Sequence, residues 1–171
     1  MSLEELTGLD PTALRGVLGY FVTGVVVITT EDDRGPVGLT ANSFTSVSLQ
    51  PPLVLFCVHQ SSRVRQSLDD SSFVGVNILG EEQEPVSRQF AAPWDDRFTG
   101  MAVHTGNTGA PLLSDALAHL ECEVEKQVDA GDHVIVLARV HHLGVRSEGR
   151  RPLTFFGGRY GRLHDDARWP D

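Results

Sequence analysis

Apolar residues recur in two different periods along this chain. Near its start they follow a helical spacing, at Leu14, Val17, Leu18 and Phe21, so this segment has one apolar face. Asp10 is a suitable N-cap and Pro11 suits the first turn of a helix, which together predict a helix over residues 11–21. Two further short helices are predicted over residues 62–69, with Ser62 as N-cap, and over residues 85–90.

Shorter apolar runs, many of them rich in β-branched residues, predict strands instead. Five such runs cover residues 25–30, 37–43, 53–58, 73–79 and 153–156. From Leu120 to Glu125 apolar and acidic residues alternate, which indicates a strand with one buried and one solvated face. A turn at Gly131 and Asp132 connects it to a long predicted strand over residues 134–145, so these two should form a hairpin. Residues 91–111, rich in Gly, Pro, Asn and Thr, predict a surface loop with at most one short strand.

These elements add up to six or seven strands and about three short helices, connected mainly as hairpins. A parallel sheet would need strands that alternate with helices, and the sequence shows no such alternation. The pattern therefore predicts a mainly β fold, an antiparallel β-barrel with peripheral helices. The length of 171 residues fits one domain, which we place at residues 10–163 between short tails at 1–9 and 164–171.

The charge and the cysteine content narrow the possible roles. With 14 Lys and Arg against 23 Asp and Glu, the formal net charge is −9, which argues against nucleic-acid binding and a polybasic membrane anchor. No apolar run approaches the roughly 20 residues of a membrane-spanning helix, and the acidic N-terminus does not resemble a secretory signal. Cys57 and Cys122 cannot build a disulfide framework, so we expect free thiols in a reducing cytoplasm, while a single bridge between them stays open.

Several common catalytic motifs are missing from the sequence. It has no phosphate loop, no H-E-x-x-H zinc motif and no G-x-S-x-G nucleophile motif. The glycine-rich segment 157–161 lies too near the C-terminus to open a doubly wound dinucleotide-binding unit. His141 and His142 should point to opposite faces of a strand, so they cannot share one metal ion. We therefore expect no metal site.

Three short segments carry polar groups that suit a bound nucleotide. Residues 38–48 offer small side chains, hydroxyls and an amide that could hydrogen-bond the edge of a flat heterocycle. Ser61, Ser62 and Arg63 at a helix start could hold a phosphate, and His133 lies at the mouth of the predicted hairpin. Each segment also has an ordinary explanation: turn capping, helix capping with a solvated arginine, and a surface histidine. Taken singly, the segments favour these ordinary explanations.

In their order along the chain, these segments resemble the short-chain flavin reductases, which supply reduced flavin to two-component monooxygenases. The resemblance extends over residues 10–163, and it is carried by the joint order and spacing of residues 15–30, 38–48, 51–57, 73–79, 96–98, 131–133 and 156–161. It implies an FMN-binding split β-barrel, a homodimer, and FMN or FAD bound near the subunit interface. It also implies that NADH or NADPH binds without a Rossmann domain.

The resemblance implies roles for individual residues as well. The isoalloxazine edge would be contacted, largely through backbone groups, by Thr40, Ala41, Asn42 and Ser43. The same groove would be lined by Ser46, Cys57, Val58 and His59. The ribityl phosphate would be held by Ser61, Ser62 and Arg63, and the flavin would be approached, from the same or the partner subunit, by Arg97 and Phe98. The nicotinamide would lie beside His133, and the pocket would be closed by Phe156, Gly157, Gly158, Arg159 and Tyr160.

The activity implied is hydride transfer from NAD(P)H to weakly bound FMN or FAD, with the reduced flavin leaving for a partner monooxygenase. The hydride needs no protein acid or base, so we expect His133 to position the nicotinamide. Two alternatives remain: a flavin-dependent reductase of an organic substrate on the same barrel, and a non-enzymatic flavin-binding module. The sequence does not distinguish FMN from FAD or NADH from NADPH, and it does not identify the partner oxygenase. It also leaves open whether Trp94 shields the pocket or packs its loop.

Overall fold

The computed structural model describes residues 9–68, 72–93, 96–146 and 151–164. Trp94 and most of both predicted tails lie outside these ranges, as does the end of the second predicted helix. The described helices are α1 (Pro11–Leu18), α2 (Arg63–Gln66), a 3₁₀ helix (Glu81–Gln83) and α3 (Glu84–Ala91). The described strands are β1 (Thr23–Gly24), β2 (Val26–Asp32), β3 (Gly35–Ala41), β4 (Thr45–Leu49), β5 (Pro52–His59), β6 (Phe73–Ile78), β7 (Val103–Thr105), β8 (Pro111–Leu113), β9 (Ala118–Ala130), β10 (His133–Val145), β11 (Thr154–Phe156) and β12 (Arg159–Gly161).

Seven strands form one antiparallel sheet in the order β3-β2-β6-β9-β10-β5-β4. The predicted hairpin of β9 and β10 is confirmed, with register irregularities after Leu137 and after Val140. Along β5 the side chains of Val54, Phe56 and Val58 are buried, whereas the residues between them are only partly buried. Because side chains alternate across a strand, one side of the sheet lines the interior of a barrel.

The barrel closes where the chain leaves β3 and passes beside β5. The Ser43 hydroxyl accepts a hydrogen bond from the Cys57 backbone N–H (3.0 Å) and donates one to the Cys57 carbonyl (3.2 Å). One side chain thus makes both bonds that a neighbouring strand would make to Cys57. The core that the barrel encloses includes Ile28, Val76 and Val136. The predicted mainly β fold with a large antiparallel sheet is therefore confirmed.

A second hydrophobic core lies on the other side of β2. Val25 and Val27 belong to it together with Phe90 of α3, whereas Val26 and Ile28 face the barrel interior. Both faces of β2 are therefore buried, which explains why its sequence is a continuous apolar run and not an alternating one. This second core fixes α3 against the sheet, next to the end of β3.

The structure describes twelve strands where the sequence predicted six or seven, so the predicted count is too low. β4 overlaps the end of the polar run and has only two apolar residues, Val47 and Leu49, which are too few to predict a strand. It forms as the partner of β5 at the edge of the sheet. β7 and β8 pair with each other, and β1, β11 and β12 make a three-stranded sheet. β11 is the strand predicted over residues 153–156. The other four are only two or three residues long, so their sequences hold no readable period.

The helices begin close to the predicted positions. The Asp10 carboxylate caps α1 by accepting hydrogen bonds from the N–H groups of Thr12 (2.9 Å) and Ala13 (3.1 Å). α1 ends at Leu18, before the predicted end at residue 21, and none of its residues is buried. Its apolar face is therefore open in the single chain. No helix within the described ranges is long and apolar enough to cross a membrane.

Candidate functional site

Two histidines face each other at one end of the barrel. His59 is the last residue of β5, and it lies directly opposite His133, the first residue of β10. Directly opposed residues of an antiparallel pair project from the same face of the sheet, and the two rings meet edge to face with centroids 5.2 Å apart. His59 is exposed and His133 partly exposed, so an approaching ligand can reach both rings.

Asp132 orients the His133 ring. The Nδ1 atom of His133 lies 2.7 Å from the Asp132 carboxylate, and this hydrogen bond together with the histidine charge lowers the pKa of Asp132. A carboxylate only accepts hydrogen bonds, so Nδ1 carries the proton. The Nε2 atom of a neutral His133 is then a hydrogen-bond acceptor, and among the described residues no protein group bonds to it. From the sequence, Asp132 is predicted only as part of a turn, although its position beside His133 is a signal for this role.

The helix start beside His59 carries the predicted phosphate-binding residues. The Nδ1 atom of His59 accepts a hydrogen bond from the Ser61 backbone N–H (3.2 Å) and lies 2.8 Å from its hydroxyl. Ser62 caps α2, with its hydroxyl accepting from the Arg65 N–H (3.1 Å). The prediction of Ser62 as N-cap is confirmed, and His59, Ser61 and Ser62 come together at one end of the barrel.

Arg63 does not extend into solvent. Its guanidinium makes a bidentate pair with Asp32, from Nε to Oδ2 (3.0 Å) and from Nη2 to Oδ1 (2.9 Å). Hydrogen bonds from Arg63, from the Arg34 backbone and from Ser67 lower the pKa of Asp32 to about 2 against an opposing effect of burial. The charge of Arg63 is thus balanced at neutral pH, and any phosphate would share this guanidinium with Asp32.

The residues predicted for the isoalloxazine edge offer mainly backbone groups. Ala41 and Val58 are buried in the barrel core, so their side chains face away from any ligand at the barrel end. The hydroxyls of Thr40 and Ser43 are engaged with Ser87 and Cys57 respectively. Of the residues predicted to meet the flavin here, Asn42 and Ser46 are exposed.

A second group of predicted residues meets α3. Thr40 of β3 donates a hydrogen bond to the Ser87 carbonyl (2.7 Å), and the Ser87 hydroxyl bonds to the Tyr160 hydroxyl (2.8 Å). Arg97 donates to the Gly38 carbonyl (2.7 Å), and the Phe98 ring packs edge to face on Phe90, 4.9 Å between centroids. β3, α3 and β12 are therefore joined through Ser87. No sequence signal could have found this residue, because Ser87 and Tyr160 are far apart in the chain.

The turn at Gly157 and Gly158, which we call the C-terminal turn, lines a cavity that the sequence did not predict. Gly157 and Gly158 have φ angles of +56° and +75°, a backbone conformation that favours glycine, and the Gly157 N–H donates to the Gly19 carbonyl (2.9 Å). Next to this contact lies a cavity of about 400 Å³ between Phe156–Gly158 and the α1 side. The α1 side contributes Arg15, Gly16, Gly19 and Tyr20. We call this space the α1 cavity.

The site residues do not all converge in the single chain. Within the described residues, no hydrogen bond or ring contact joins His133 to the segment 156–160. The groups fit a flat heterocycle with an attached phosphate: exposed backbone edges, serine hydroxyls, one oriented imidazole, and glycines at 157 and 158 beside which an added Cβ would meet nothing within 4 Å. Within the described ranges, no group of three or more His, Cys, Asp or Glu is placed so that it could hold a metal ion.

The sequence matches known proteins along most of its length. The family profile described as Flavin reductase like domain matches residues 18–164. The chain is 41% identical over 177 residues to the reductase subunit HsaB of a flavin-dependent monooxygenase of Rhodococcus jostii (strain RHA1), covering 98% of this chain and 90% of that protein. It is 48% identical over 152 residues to a protein of Rhizobium meliloti (strain 1021) named "Probable flavin reductase", covering 88% of this chain and 48% of that longer relative.

The fold matches a solved structure as well. The NADH:FAD oxidoreductase SgcE6 of Streptomyces globisporus C-1027, in complex with NAD and FAD fragments, has a TM-score of 0.87 to this chain at 41% identity. The match covers 96% of this chain and 99% of that one. It confirms the predicted split β-barrel. The chain therefore belongs to the flavin reductase-like family.

Proposed function

We propose that this protein is an NADH:flavin oxidoreductase that supplies reduced flavin to a partner monooxygenase. The observation that carries the proposal is similarity over nearly the whole chain to an NADH:FAD oxidoreductase and to the reductase subunit of a flavin-dependent monooxygenase. The first of these relatives favours NADH over NADPH and FAD over FMN. A homodimer in the cytoplasm is part of this proposal, and the open apolar face of α1 supports the homodimer.

The flavin would lie at the barrel end that carries His59 and His133. Backbone groups of residues 40–43 would meet the isoalloxazine edge, with Asn42 and Ser46 as the exposed side chains beside it. Ser61 and Ser62 would donate hydrogen bonds to the phosphate, and Arg63 would share its charge between the phosphate and Asp32. When both are bound, the reduced nicotinamide supplies a hydride from C4 and the flavin accepts it at N5.

His133 would position the nicotinamide and not transfer a proton. Asp132 holds the proton of this imidazole on Nδ1, so Nε2 is free to accept a hydrogen bond from the N–H of the carboxamide group. Hydride transfer needs the two rings to be held face to face, and a hydrogen bond to the carboxamide would fix the rotation of one of them. The segment 156–160 would close the pocket, held in place through the Tyr160 hydrogen bond to Ser87.

The experiment that tests the proposal is oxidation of NADH and, separately, of NADPH by the purified protein with FMN or FAD added in turn. We expect rapid oxidation that requires free flavin, with the NADH and FAD pair preferred. Flavin binding seen by fluorescence quenching without turnover in any of the four pairs would contradict the reductase and leave a flavin-binding module. Turnover only after an organic acceptor is added would indicate a reductase of that substrate.

A further inference from the structure

The proposed site accounts for only half of each substrate. Both FAD and NADH carry an adenosine diphosphate group besides the ring that reacts. The residues assigned above would hold the isoalloxazine, the phosphate next to the ribityl chain, and the nicotinamide. None of them is assigned to an adenine, and the sequence has no dinucleotide-binding fingerprint that would hold the diphosphate. The adenosine diphosphate group therefore has to bind elsewhere on this chain or remain in solvent.

The α1 cavity has the chemistry that this group needs. Its volume of about 400 Å³ lies within the range of small-molecule sites, roughly 300–1,000 Å³. Tyr20 and Phe156 meet edge to face with centroids 6.3 Å apart, and they are 82% and 50% exposed. These two rings leave apolar faces open to a base, and stacking on aromatic side chains is the usual way proteins hold a base without reading its edge.

The charge of the cavity lining also suits a diphosphate. Arg15 lines the cavity, and neither an ion pair nor a hydrogen bond of its side chain is found within the described residues. No carboxylate of the described residues lines the cavity. Another cavity, of about 240 Å³ between the β2–β3 turn and α2, is lined by Asp32 and Asp33 as well as by arginines. An anion is therefore expected to prefer the α1 cavity.

The cavity borders the segment that we propose closes the pocket. Phe156, Gly157 and Gly158 belong to that segment and also line the cavity. Gly19 lets the C-terminal turn approach, since an added Cβ there would lie 3.4 Å from the Gly157 Cα and 3.2 Å from the Arg15 carbonyl. A dinucleotide with its reacting ring under residues 156–160 can thus place its other half against α1.

From these observations we propose that the α1 cavity is a binding site for the adenosine diphosphate group of a dinucleotide, with Tyr20 and Phe156 against the base and Arg15 on the diphosphate. The inference rests on the proposed function, because it takes its ligand from the substrates named there. Two substrates carry this group, and the experiment separates them.

The test begins with binding of ADP alone to the full-length protein by titration calorimetry, which needs no turnover. We expect ADP to bind the unmodified protein, and Arg15→Gln and Tyr20→Ala each to raise its Kd by about tenfold. Both side chains are exposed, so neither variant should unfold the protein. Arg34→Gln is the matched control, because it removes the same charge from the other cavity and should leave the Kd for ADP within twofold.

A second set of measurements assigns the source of the group. If the cavity holds FAD, the two variants raise the Kd for FAD and leave that for FMN unchanged, as measured by quenching of flavin fluorescence. If it holds the nicotinamide dinucleotide, they raise the KM for NADH with FMN as acceptor. The proposal would be overturned if ADP did not bind the unmodified protein, or if the two variants bound ADP as well as the control does. In either case FMN-dependent oxidation of NADH would still support the proposed reductase activity. If the unmodified protein is a dimer and Tyr20→Ala is a monomer, the proposal is overturned too. Tyr20 would then lie in the interface, and a second copy of the chain would cover the cavity.

Discussion

At the scale of single residues, the Asp132–His133 pair provides the sharpest test of the proposed reductase. His133→Ala removes the Nε2 acceptor, so we expect the KM for NADH to rise about tenfold while the Kd for flavin changes less than twofold. Steady-state kinetics and fluorescence quenching measure the two effects separately. His141→Ala is the matched control, because His141 is also an exposed histidine of β10 paired with a carboxylate, that of Glu123. A larger loss of flavin affinity than of NADH affinity would contradict the proposal that His133 positions the nicotinamide.

The second test at this scale concerns the proton on His133. Asn at position 132 can donate a hydrogen bond through its amide, which the carboxylate cannot do. Asp132→Asn would therefore allow the proton of His133 to move to Nε2, which then no longer accepts from the carboxamide. We expect the KM for NADH to rise towards that of His133→Ala with kcat less affected. An unchanged KM would show that the tautomer of His133 does not matter for NADH binding.

At the scale of the elements, the connection between β7 and β8 depends on one buried acid. Glu121 of β9 is 1% exposed, and it accepts hydrogen bonds from the Thr108 N–H (2.7 Å), the Thr108 hydroxyl (2.8 Å) and the Asn107 amide (3.0 Å). Burial alone would raise the pKa of Glu121, but these hydrogen bonds outweigh it and lower the pKa to about 2. The carboxylate therefore holds this loop as an anion at neutral pH.

Glu121→Gln should destabilise the protein, because the amide presents N–H groups where only an acceptor fits. We expect a loss of about 1–3 kcal/mol in the free energy of unfolding, the usual cost of a buried polar group left without a partner. Urea unfolding at pH 7 measures it. Glu125→Gln, at an exposed position of the same strand, is the control and should cost less. A loss equal to that of the control would mean that the loop does not depend on Glu121.

The same carboxylate predicts how stability depends on pH. A group with a lowered pKa stabilises the fold above its unfolded value, here 4.5, and this contribution is lost as the pH falls towards the folded value of about 2. Part of the stability should therefore disappear between these two values. The midpoint temperatures of thermal unfolding of the unmodified protein and of Glu121→Gln, measured over this pH range, should converge as the pH falls. A constant difference between them would contradict the assignment.

At the scale of the whole molecule, Gly75 sets how closely the small β7–β8 sheet packs on the main sheet. A Cβ at this position would lie 2.5 Å from the Thr29 hydroxyl, 2.7 Å from Leu112 Cδ2 and 2.8 Å from the Pro111 carbonyl. The carbonyl belongs to the backbone and cannot move alone. We expect Gly75→Ala to lower the free energy of unfolding by about 1–3 kcal/mol, as measured by urea unfolding. Gly24→Ala, where a Cβ meets nothing within 4 Å, should be close to neutral, and equal costs would contradict the argument.

The proposed homodimer also belongs to this scale. The open face of α1 carries Leu14, Val17 and Leu18, which are 48%, 55% and 61% exposed, and contiguous apolar surface of this kind usually marks an interface. We expect the protein to sediment as a dimer, and Leu18→Glu to sediment as a folded monomer. Leu143→Glu, at a 75% exposed position on β10, tests a competing surface. Loss of the dimer in that variant alone would place the interface on β10 and not on α1.

The sequence predicted those parts of the fold that depend on near neighbours. The Asp10 cap of α1 is a local signal and is confirmed. The alternation along β9 located a strand of the hairpin, but Glu121, predicted on its solvated face, is buried because it accepts hydrogen bonds from a distant loop. β4 was missed because only two of its residues are apolar and its position depends on β5. For the site, the Ser62 cap was visible in the sequence, whereas the Arg63–Asp32 ion pair and the Ser87–Tyr160 hydrogen bond join distant positions that a single sequence does not connect.

The two thiols differ enough to make the protein a convenient subject for chemical labelling. Burial, with a contribution from the Glu121 charge, raises the pKa of Cys122 to about 12, so this thiol stays protonated and shielded from maleimides. Cys57 is partly exposed and lies two residues before His59 on the same face of β5. One fluorophore should therefore attach per folded chain, beside the pair of imidazoles. If added flavin slows the labelling of Cys57, the labelling rate would report flavin binding at that end of the barrel without any need for turnover.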